Sequence, residues 1–215
     1  MQRMMKITVA LAALFLVYAG QVSDAAAGDP KSPVVVELFT SQGCSSCPPA
    51  EAFLGELADR PGVIALELHV DYWDYIGWKD PFAEHAYVER QRSYSGKLGE
   101  RYVYTPQMVI GGRTHAVGSD RGQVDTAIET VRNAMTSGPS LALTRNGDDV
   151  NIRIGGTDNS ESHDIFFVTY DAEHATKVQR GENRGMTLVN KNIVRAFDRI
   201  GDWSGKPLDL TVSVA

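Results

Sequence analysis

Residues 36–51 read VELFTSQGCSSCPPAE and contain both cysteines of the chain, Cys44 and Cys47. The stretch begins within a short apolar run, Val34–Phe39, that is rich in β-branched residues and typical of a buried strand. A polar turn, Thr40–Gly43, leads to the first cysteine. Two prolines follow the second cysteine and suit the first turn of a helix, where missing N–H groups cost little. The stretch therefore predicts a strand, a cysteine-bearing turn and a helix in direct succession.

The spacing of the two cysteines indicates redox chemistry. Near a helix N-terminus, unsatisfied N–H groups and the helix dipole stabilise a thiolate, which is the nucleophile in disulfide exchange. We assign Cys44 as the attacking thiol. Cys47 lies about one helical turn later and is assigned as the resolving thiol. This role requires the sulfur of Cys44 to be open to solvent.

Three other interpretations of the pair stay open at this point. A structural disulfide would be a weak staple, because so small a loop removes little entropy from the unfolded chain. A metal site is the second alternative: zinc normally takes four ligands, but His69 or His115 could complete a soft copper site. The third is an inactive motif in a binding module.

The N-terminus predicts export. Arg3 and Lys6 precede an apolar run, Ile7–Ala19, and a small-residue stretch, Asp24–Ala27. This order is typical of a cleavable signal peptide, here residues 1–27. The apolar run is shorter than the ~20 residues that cross a bilayer. We therefore expect a periplasmic or secreted protein without a membrane span in the mature chain, in a compartment where thiols pair.

The charge balance argues against nucleic acid as a partner. The chain has 27 acidic and 21 basic side chains and a formal net charge of −6. An acidic protein without a basic run is a poor candidate for binding nucleic acid or an anionic membrane.

The pattern of strands and helices changes near residue 138. Residues 33–137 predict a domain with the order β-α-β-α-β-β-α and an α/β fold. Residues 139–215 predict a small antiparallel β module packed on it, with a hairpin turn at Asn146–Gly147. The segment Leu188–Phe197 fits a strand or a short helix equally well.

The strand, the Cys-x-x-Cys helix and a later strand that starts at a proline resemble the thioredoxin and glutaredoxin fold. The resemblance implies a cis peptide at Thr105-Pro106 that faces the cysteines. It also implies that the Thr105 backbone pairs with an extended substrate, and that Pro106 keeps metals off the pair. Thioredoxins carry a buried acid upstream of their cysteines, which makes Glu37 a candidate proton acceptor for Cys47. The alternative, which we favour for Glu37, is a partly exposed or salt-bridged strand glutamate.

Longer segments are similar to a bacterial family of secreted thioredoxin-like proteins, domain-of-unknown-function family 1223 (DUF1223). They are VELFTSQGCSSCPPAE at 36–51, HVDYWDYIGWKDPF at 69–82, YTPQMVIGG at 104–112 and GENRG at 181–185. The similarity covers essentially the mature chain. The family carries no settled reaction, so the resemblance strengthens the fold and leaves the substrate open.

Two of these segments allow further predictions. The aromatic segment Tyr72–Trp78 fits either a substrate-selecting wall beside the cysteines, with Trp73 in contact with substrate, or packing between the two halves. The GENRG segment is expected to be a glycine-flanked turn that packs Asn183 and Arg184 against the first half.

These observations together predict an exported thiol–disulfide oxidoreductase. Its partners would be protein or small-molecule thiols and disulfides, together with an unknown redox partner. No metal and no cofactor is expected beyond the cysteine pair itself. The alternatives are a copper-delivery protein and a recognition module with a locked disulfide.

Overall fold

A computed structural model describes residues 32–136, 138–158 and 161–214. The predicted signal peptide lies outside these residues. The first half contains four strands, three α-helices and a short 3-10 helix. They are β1 (Val34–Thr40), α1 (Pro48–Ala58), β2 (Val63–His69), the 3-10 helix (Asp71–Ile76), α2 (His85–Leu98), β3 (Gln107–Ile110), β4 (Thr114–Val117) and α3 (Arg121–Ala134). The predicted order β-α-β-α-β-β-α is confirmed.

The second half contributes five strands. They are β5 (Leu141–Asn146), β6 (Asp149–Ile154), β7 (His163–Lys177), β8 (Thr187–Trp203) and β9 (Leu208–Ser213). Strands β5, β6 and β9 form a separate three-stranded antiparallel sheet. The hairpin predicted at Asn146–Gly147 joins β5 to β6, and Gly147 has a φ of 63°, which suits its place in a tight turn.

The main sheet has six strands in the order β4-β3-β1-β2-β8-β7. Strand β1 runs parallel to β2 and antiparallel to β3. Strand β8 pairs in parallel with β2 where Glu67 lies opposite Ile193, so the second half also extends the main sheet. The segment Leu188–Phe197, which the sequence leaves undecided, is part of β8.

The two faces of β1 pack against different elements. Val34, Val36 and Leu38 are buried in a core shared with α1 and α3. Phe39 is buried in a second core shared with α2 and β8. Because side chains alternate along a strand, each residue of β1 is committed to one of these two faces. No helix in the described part of the chain is long and apolar enough to cross a bilayer.

Candidate functional site

Cys44 and Cys47 form a disulfide at the start of α1, with their Cα atoms 5.4 Å apart. Cys47 is the N-cap of the helix, and Pro48 and Pro49 occupy the first two helical positions. The predicted placement of the pair at a helix N-terminus is therefore observed. The two prolines carry no N–H, so this helix end offers fewer backbone donors than usual.

Hydroxyl groups lie against the sulfur of Cys44. Thr105 Oγ1 donates a hydrogen bond to Cys44 Sγ over 3.3 Å, and Ser46 Oγ lies 3.3 Å from the same sulfur. Trp73 Nε1 donates to Thr105 Oγ1 over 2.8 Å. The Thr105-Pro106 peptide is cis, as the resemblance implies. The structure thus brings together Cys44, Thr105 and Trp73, which the sequence placed in one site.

The expectation that the sulfur of Cys44 is open to solvent is wrong. Cys44 is 1 % exposed and Cys47 is fully buried, although Ser45 between them is exposed. The segment Gly181–Gly185 lies over the cysteine turn. Because this cover comes from a segment about 140 residues later in the chain, no local pattern around the cysteines could have revealed it.

Three hydrogen bonds hold the cover in place. The Glu182 carboxylate accepts from the Ser45 N–H over 3.0 Å. Asn183 Nδ2 donates to the carbonyl oxygens of Gln42 and Cys44, both over 2.9 Å. Asn183 is buried, as predicted for this turn, but Arg184 is exposed, so the prediction for Arg184 is wrong.

The aromatic segment Tyr72–Trp78 packs against the cover, Gly181–Gly185. A Cβ added to Gly181 would lie 3.3 Å from both Ile76 Cδ1 and Trp78 Cβ. Trp78 Nε1 donates to Gln42 Oε1 over 3.2 Å. The segment therefore lies beside the cysteines and also packs against the second half, as the packing alternative predicts, while contact of Trp73 with a substrate stays a prediction.

Glu37 does not serve the cysteines. It lies on the face of β1 opposite α1, where its carboxylate accepts from Arg90 Nε at 2.5 Å, Arg90 Nη2 at 2.9 Å and Tyr94 Oη at 2.7 Å. The predicted proton transfer from Cys47 to Glu37 is corrected for this reason: the sheet separates the two groups. The salt-bridged alternative is the observed one.

A different glutamate lies on the cysteine side. Glu51 follows Cys47 by four residues on α1, and its N–H donates to the Cys47 carbonyl over 3.1 Å. It is buried, and its Oε1 accepts from Thr40 Oγ1 over 2.8 Å. The sequence contained a signal for it, because residues four apart lie on the same side of a helix.

Glu51 belongs to a buried group of ionisable side chains. His69 Nδ1 lies 2.8 Å from Asp80 Oδ2, and His69 Nε2 lies 3.6 Å from Glu67 Oε1. The Glu67 carboxylate accepts from Asn190 Nδ2 and from the Lys191 N–H. Asp80 Oδ2 also accepts from the Gln42 N–H over 2.8 Å, which ties the group to the cysteine turn.

Two members of the group, Glu51 and His69, have raised pKa values. Burial, followed by the negative charge of Glu67, raises the pKa of Glu51 to about 8. Burial acts to lower the pKa of His69, but the charge and hydrogen bond of Asp80 and then Glu67 outweigh it and raise that pKa to about 10. At neutral pH, Glu51 is therefore mostly protonated and His69 carries a positive charge.

The histidines proposed for copper have other partners. His69 is bound to Asp80, and His115 Nδ1 lies 2.8 Å from Tyr104 Oη while its Nε2 lies 3.0 Å from Glu100 Oε1. Within residues 32–136, 138–158 and 161–214, no three His, Cys, Asp or Glu side chains are arranged to hold a metal ion. The copper alternative thus lacks a ligand set in the described part of the chain.

Comparison with known proteins gives a family and a fold. The family described as "Protein of unknown function (DUF1223)" matches residues 35–215. The crystal structure of protein AGR_C_4864 from Agrobacterium tumefaciens is 34% identical and superposes with a TM-score of 0.74, covering 85% of this chain and 79% of that chain. HBP35 of Porphyromonas gingivalis is 14% identical with a TM-score of 0.56, covers 86% of this chain and 64% of that chain, and is similar in fold alone. No curated protein matches the chain.

Proposed function

The chain belongs to the DUF1223 family, and we propose that it is an exported thiol–disulfide oxidoreductase with Cys44 as nucleophile and Cys47 as resolving thiol. The observation that carries the proposal is the hydrogen bond that Thr105 Oγ1 donates to Cys44 Sγ. A donor aimed at the sulfur stabilises a thiolate more than it stabilises a disulfide, because hydrogen bonds to charged acceptors are the stronger ones. A disulfide that only braces the fold has no need of such a donor.

In the oxidised form, a substrate thiolate attacks Cys44 Sγ. A new sulfur–sulfur bond forms, the bond between Cys44 and Cys47 breaks, and its electron pair leaves on Cys47 Sγ. A second substrate thiol then displaces Cys44, so that two electrons pass from the substrate dithiol to the pair. The reverse sequence, beginning with attack by Cys44, reduces a substrate disulfide.

Glu51 takes the role that the sequence suggested for Glu37. Since its pKa is raised to about 8, its carboxyl holds a proton at neutral pH. It lies one helical turn beyond Cys47 in the same buried region. We assign it to donate that proton to the Cys47 thiolate as the disulfide opens, and to accept it when the disulfide closes.

Exchange with a large substrate requires the cover to move. The segment Gly181–Gly185 holds Cys44 at 1 % exposure through Glu182 and Asn183. The two residues between the cysteines, Ser45 and Ser46, are already exposed. A substrate that displaces the Asn183 amide from the Cys44 carbonyl would gain a backbone acceptor beside the reacting sulfur.

The test measures catalysis in both directions. The wild-type chain and two variants are assayed for insulin-disulfide reduction and for oxidative refolding of a reduced substrate. Cys44→Ser should abolish turnover in both assays, whereas the neighbouring Ser45→Ala should retain it. If the wild type and Cys44→Ser behave alike in both assays, the proposal fails.

Export is part of the same proposal and has its own test. It is supported by the order of basic, apolar and small residues before residue 28. N-terminal sequencing of the protein from fractionated bacteria should find it outside the cytoplasm and cleaved near residue 27. An intact N-terminus in the cytoplasmic fraction would contradict export.

A recognition module with a locked disulfide is the second candidate, and the burial of both sulfurs favours it. In that case the protein would bind its partner through a preformed surface, and the pair would only hold its shape. Affinity capture separates the two functions. A module should retain its partner in Cys44→Ser, whereas the oxidoreductase should hold substrates as mixed disulfides in Cys47→Ser and lose them in Cys44→Ser.

A further inference from the structure

A cavity lies mainly on the side of the main sheet away from α1 and extends to Val131 and Met135 at the end of α3. Its volume is about 850 Å³, and it opens between the main sheet and the small sheet formed by β5, β6 and β9. Its lining includes Val35 and Glu37 of β1, whose neighbours Val36 and Leu38 face α1 on the other side. The cavity is therefore distinct from the cysteine site, and its volume falls within the range of about 300–1,000 Å³ that is usual for small-molecule sites.

The lining gathers apolar side chains that are exposed to water. Among the described residues, ten large apolar side chains are exposed, and half of them line this one cavity. These are Ile64, Leu141, Leu143, Phe166 and Tyr170. Single exposed apolar residues are ordinary, but a concentration of them around one concavity marks a binding surface.

An ion pair forms part of the cavity wall. The Arg90 guanidinium binds both carboxylate oxygens of Glu37. Its Cζ lies 3.9 Å from the ring centroid of Phe197 and 5.6 Å from that of Phe166. Held by a carboxylate and two rings, Arg90 is fixed in place, and its charge is neutralised by Glu37.

The second arginine of the lining, Arg113, has no carboxylate partner within the part of the chain that the structure describes. Arg113 follows β3 at the mouth of the cavity and is exposed. None of the ion pairs found among the described residues includes Arg113. The charged side chains of the lining are Glu37, Arg90 and Arg113, so their formal charges sum to +1.

We propose that this cavity binds a small monoanionic amphiphile, a carboxylic acid with an alkyl or aromatic body. The body lies against Leu143, Phe166 and Tyr170, and the carboxylate pairs with Arg113 at the mouth. Both features follow from the lining: the apolar walls exclude a strongly polar ligand, and the single unneutralised positive charge selects an anion over a cation. The site does not depend on the chemistry of the cysteines.

The test uses two probes with the same tail and opposite charge. Decanoate and decyltrimethylammonium are titrated into the full chain by isothermal titration calorimetry, below their micelle concentrations. Decanoate should bind saturably with one site per chain, and the cation should bind at least about tenfold more weakly. No saturable binding of decanoate, or equal binding of both probes, overturns the proposal.

Matched variants locate the site. Arg113→Gln should weaken decanoate binding about tenfold through the loss of a charge-assisted contact, whereas Arg101→Gln, another exposed arginine outside the cavity, should not. Leu143→Asn should also weaken binding, and Met186→Gln, exposed elsewhere, should not. All four substitutions are at exposed positions, so we expect each variant to fold. A melting temperature close to that of the wild type checks this.

A second copy of the chain is the competing occupant of the cavity. Sedimentation velocity with and without decanoate distinguishes it. A monomer that binds decanoate supports the proposal. A stable dimer that excludes decanoate, and that Leu143→Asn dissociates, overturns it.

Discussion

The indole of Trp73 and the hydroxyl of Thr105 are joined by a hydrogen bond of 2.8 Å, in which Trp73 Nε1 is the donor. A hydroxyl has one proton, so a hydroxyl that accepts from an indole has that proton free for another acceptor. In this structure the acceptor is Cys44 Sγ, 3.3 Å away. Trp73 thereby orients the hydroxyl that contacts the sulfur of Cys44, although Trp73 and Thr105 lie on different elements.

Removing the hydroxyl should make Cys44 less reactive. In reduced Cys47→Ser protein, Thr105→Val should slow alkylation of Cys44 by iodoacetamide at pH 7 about fivefold to tenfold, because the thiolate loses one hydrogen bond of about 1 kcal/mol. Trp73→Phe should change the rate in the same direction by less. Thr144→Val, on the exposed strand β5, is the control. Equal alkylation rates in all variants would show that the Thr105 hydroxyl does not influence the reactivity of Cys44.

Substitution of Glu51 should change the pH profile of exchange. Because the pKa of Glu51 is raised to about 8, the rate of disulfide opening should fall as pH rises through that value and the carboxyl loses its proton. In Glu51→Gln this inflection should disappear. The exposed Glu56→Gln on the same helix should keep it. An unchanged inflection in Glu51→Gln would assign the titration to another group.

Loosening the cover should expose the disulfide. Asn183→Ala removes two of the three hydrogen bonds that hold the cover on the cysteine turn, so the segment should open more often. We expect reduction by dithiothreitol to become about tenfold faster, corresponding to the loss of about 1–3 kcal/mol of buried hydrogen bonding. Arg184→Ala, at the exposed neighbouring position, should leave the rate unchanged. If the two variants reduce at the same rate, Asn183 does not control access.

The free energy of unfolding should fall as pH rises from about 4.5 to 10. In the folded chain the pKa of Glu51 is raised from 4.5 to about 8, and that of His69 from 6.5 to about 10. These two groups therefore bind more protons in the folded state than in the unfolded state throughout this window, so their contribution to stability is fully present below the window and is lost as pH rises through it. Urea unfolding at a series of pH values measures the slope.

Two variants provide the check on that slope. Glu51→Gln should flatten the part between about pH 4.5 and 8, because the amide does not titrate. Glu56→Gln should leave that part as in the wild type, since Glu56 lies on the surface. If the free energy of unfolding of the wild type rises between pH 6.5 and 8, the raised pKa values of Glu51 and His69 are contradicted.

Much of the architecture follows from local patterns. The apolar run of β1 and the prolines after Cys47 place the cysteine pair at a helix N-terminus, because short-range sterics and hydrogen bonding control such features. The helical period also relates Cys47 to Glu51 without any tertiary information. The choice between the two interpretations of Glu37 needed the fold, because distance from the cysteines along the chain does not show which face of the sheet a side chain occupies.

The sequence by itself determined a cysteine pair between a strand and a helix, the order of elements through α3 and the segments that carry the family resemblance. Only the tertiary structure decided that Asn183 covers Cys44, that Arg90 holds Glu37 away from it, and that β8 extends the main sheet. Periodicity and turn chemistry act over a few residues, whereas burial and ion pairing depend on which distant segments meet. Access to the cysteines and the cavity around Arg113 are therefore properties of the folded chain.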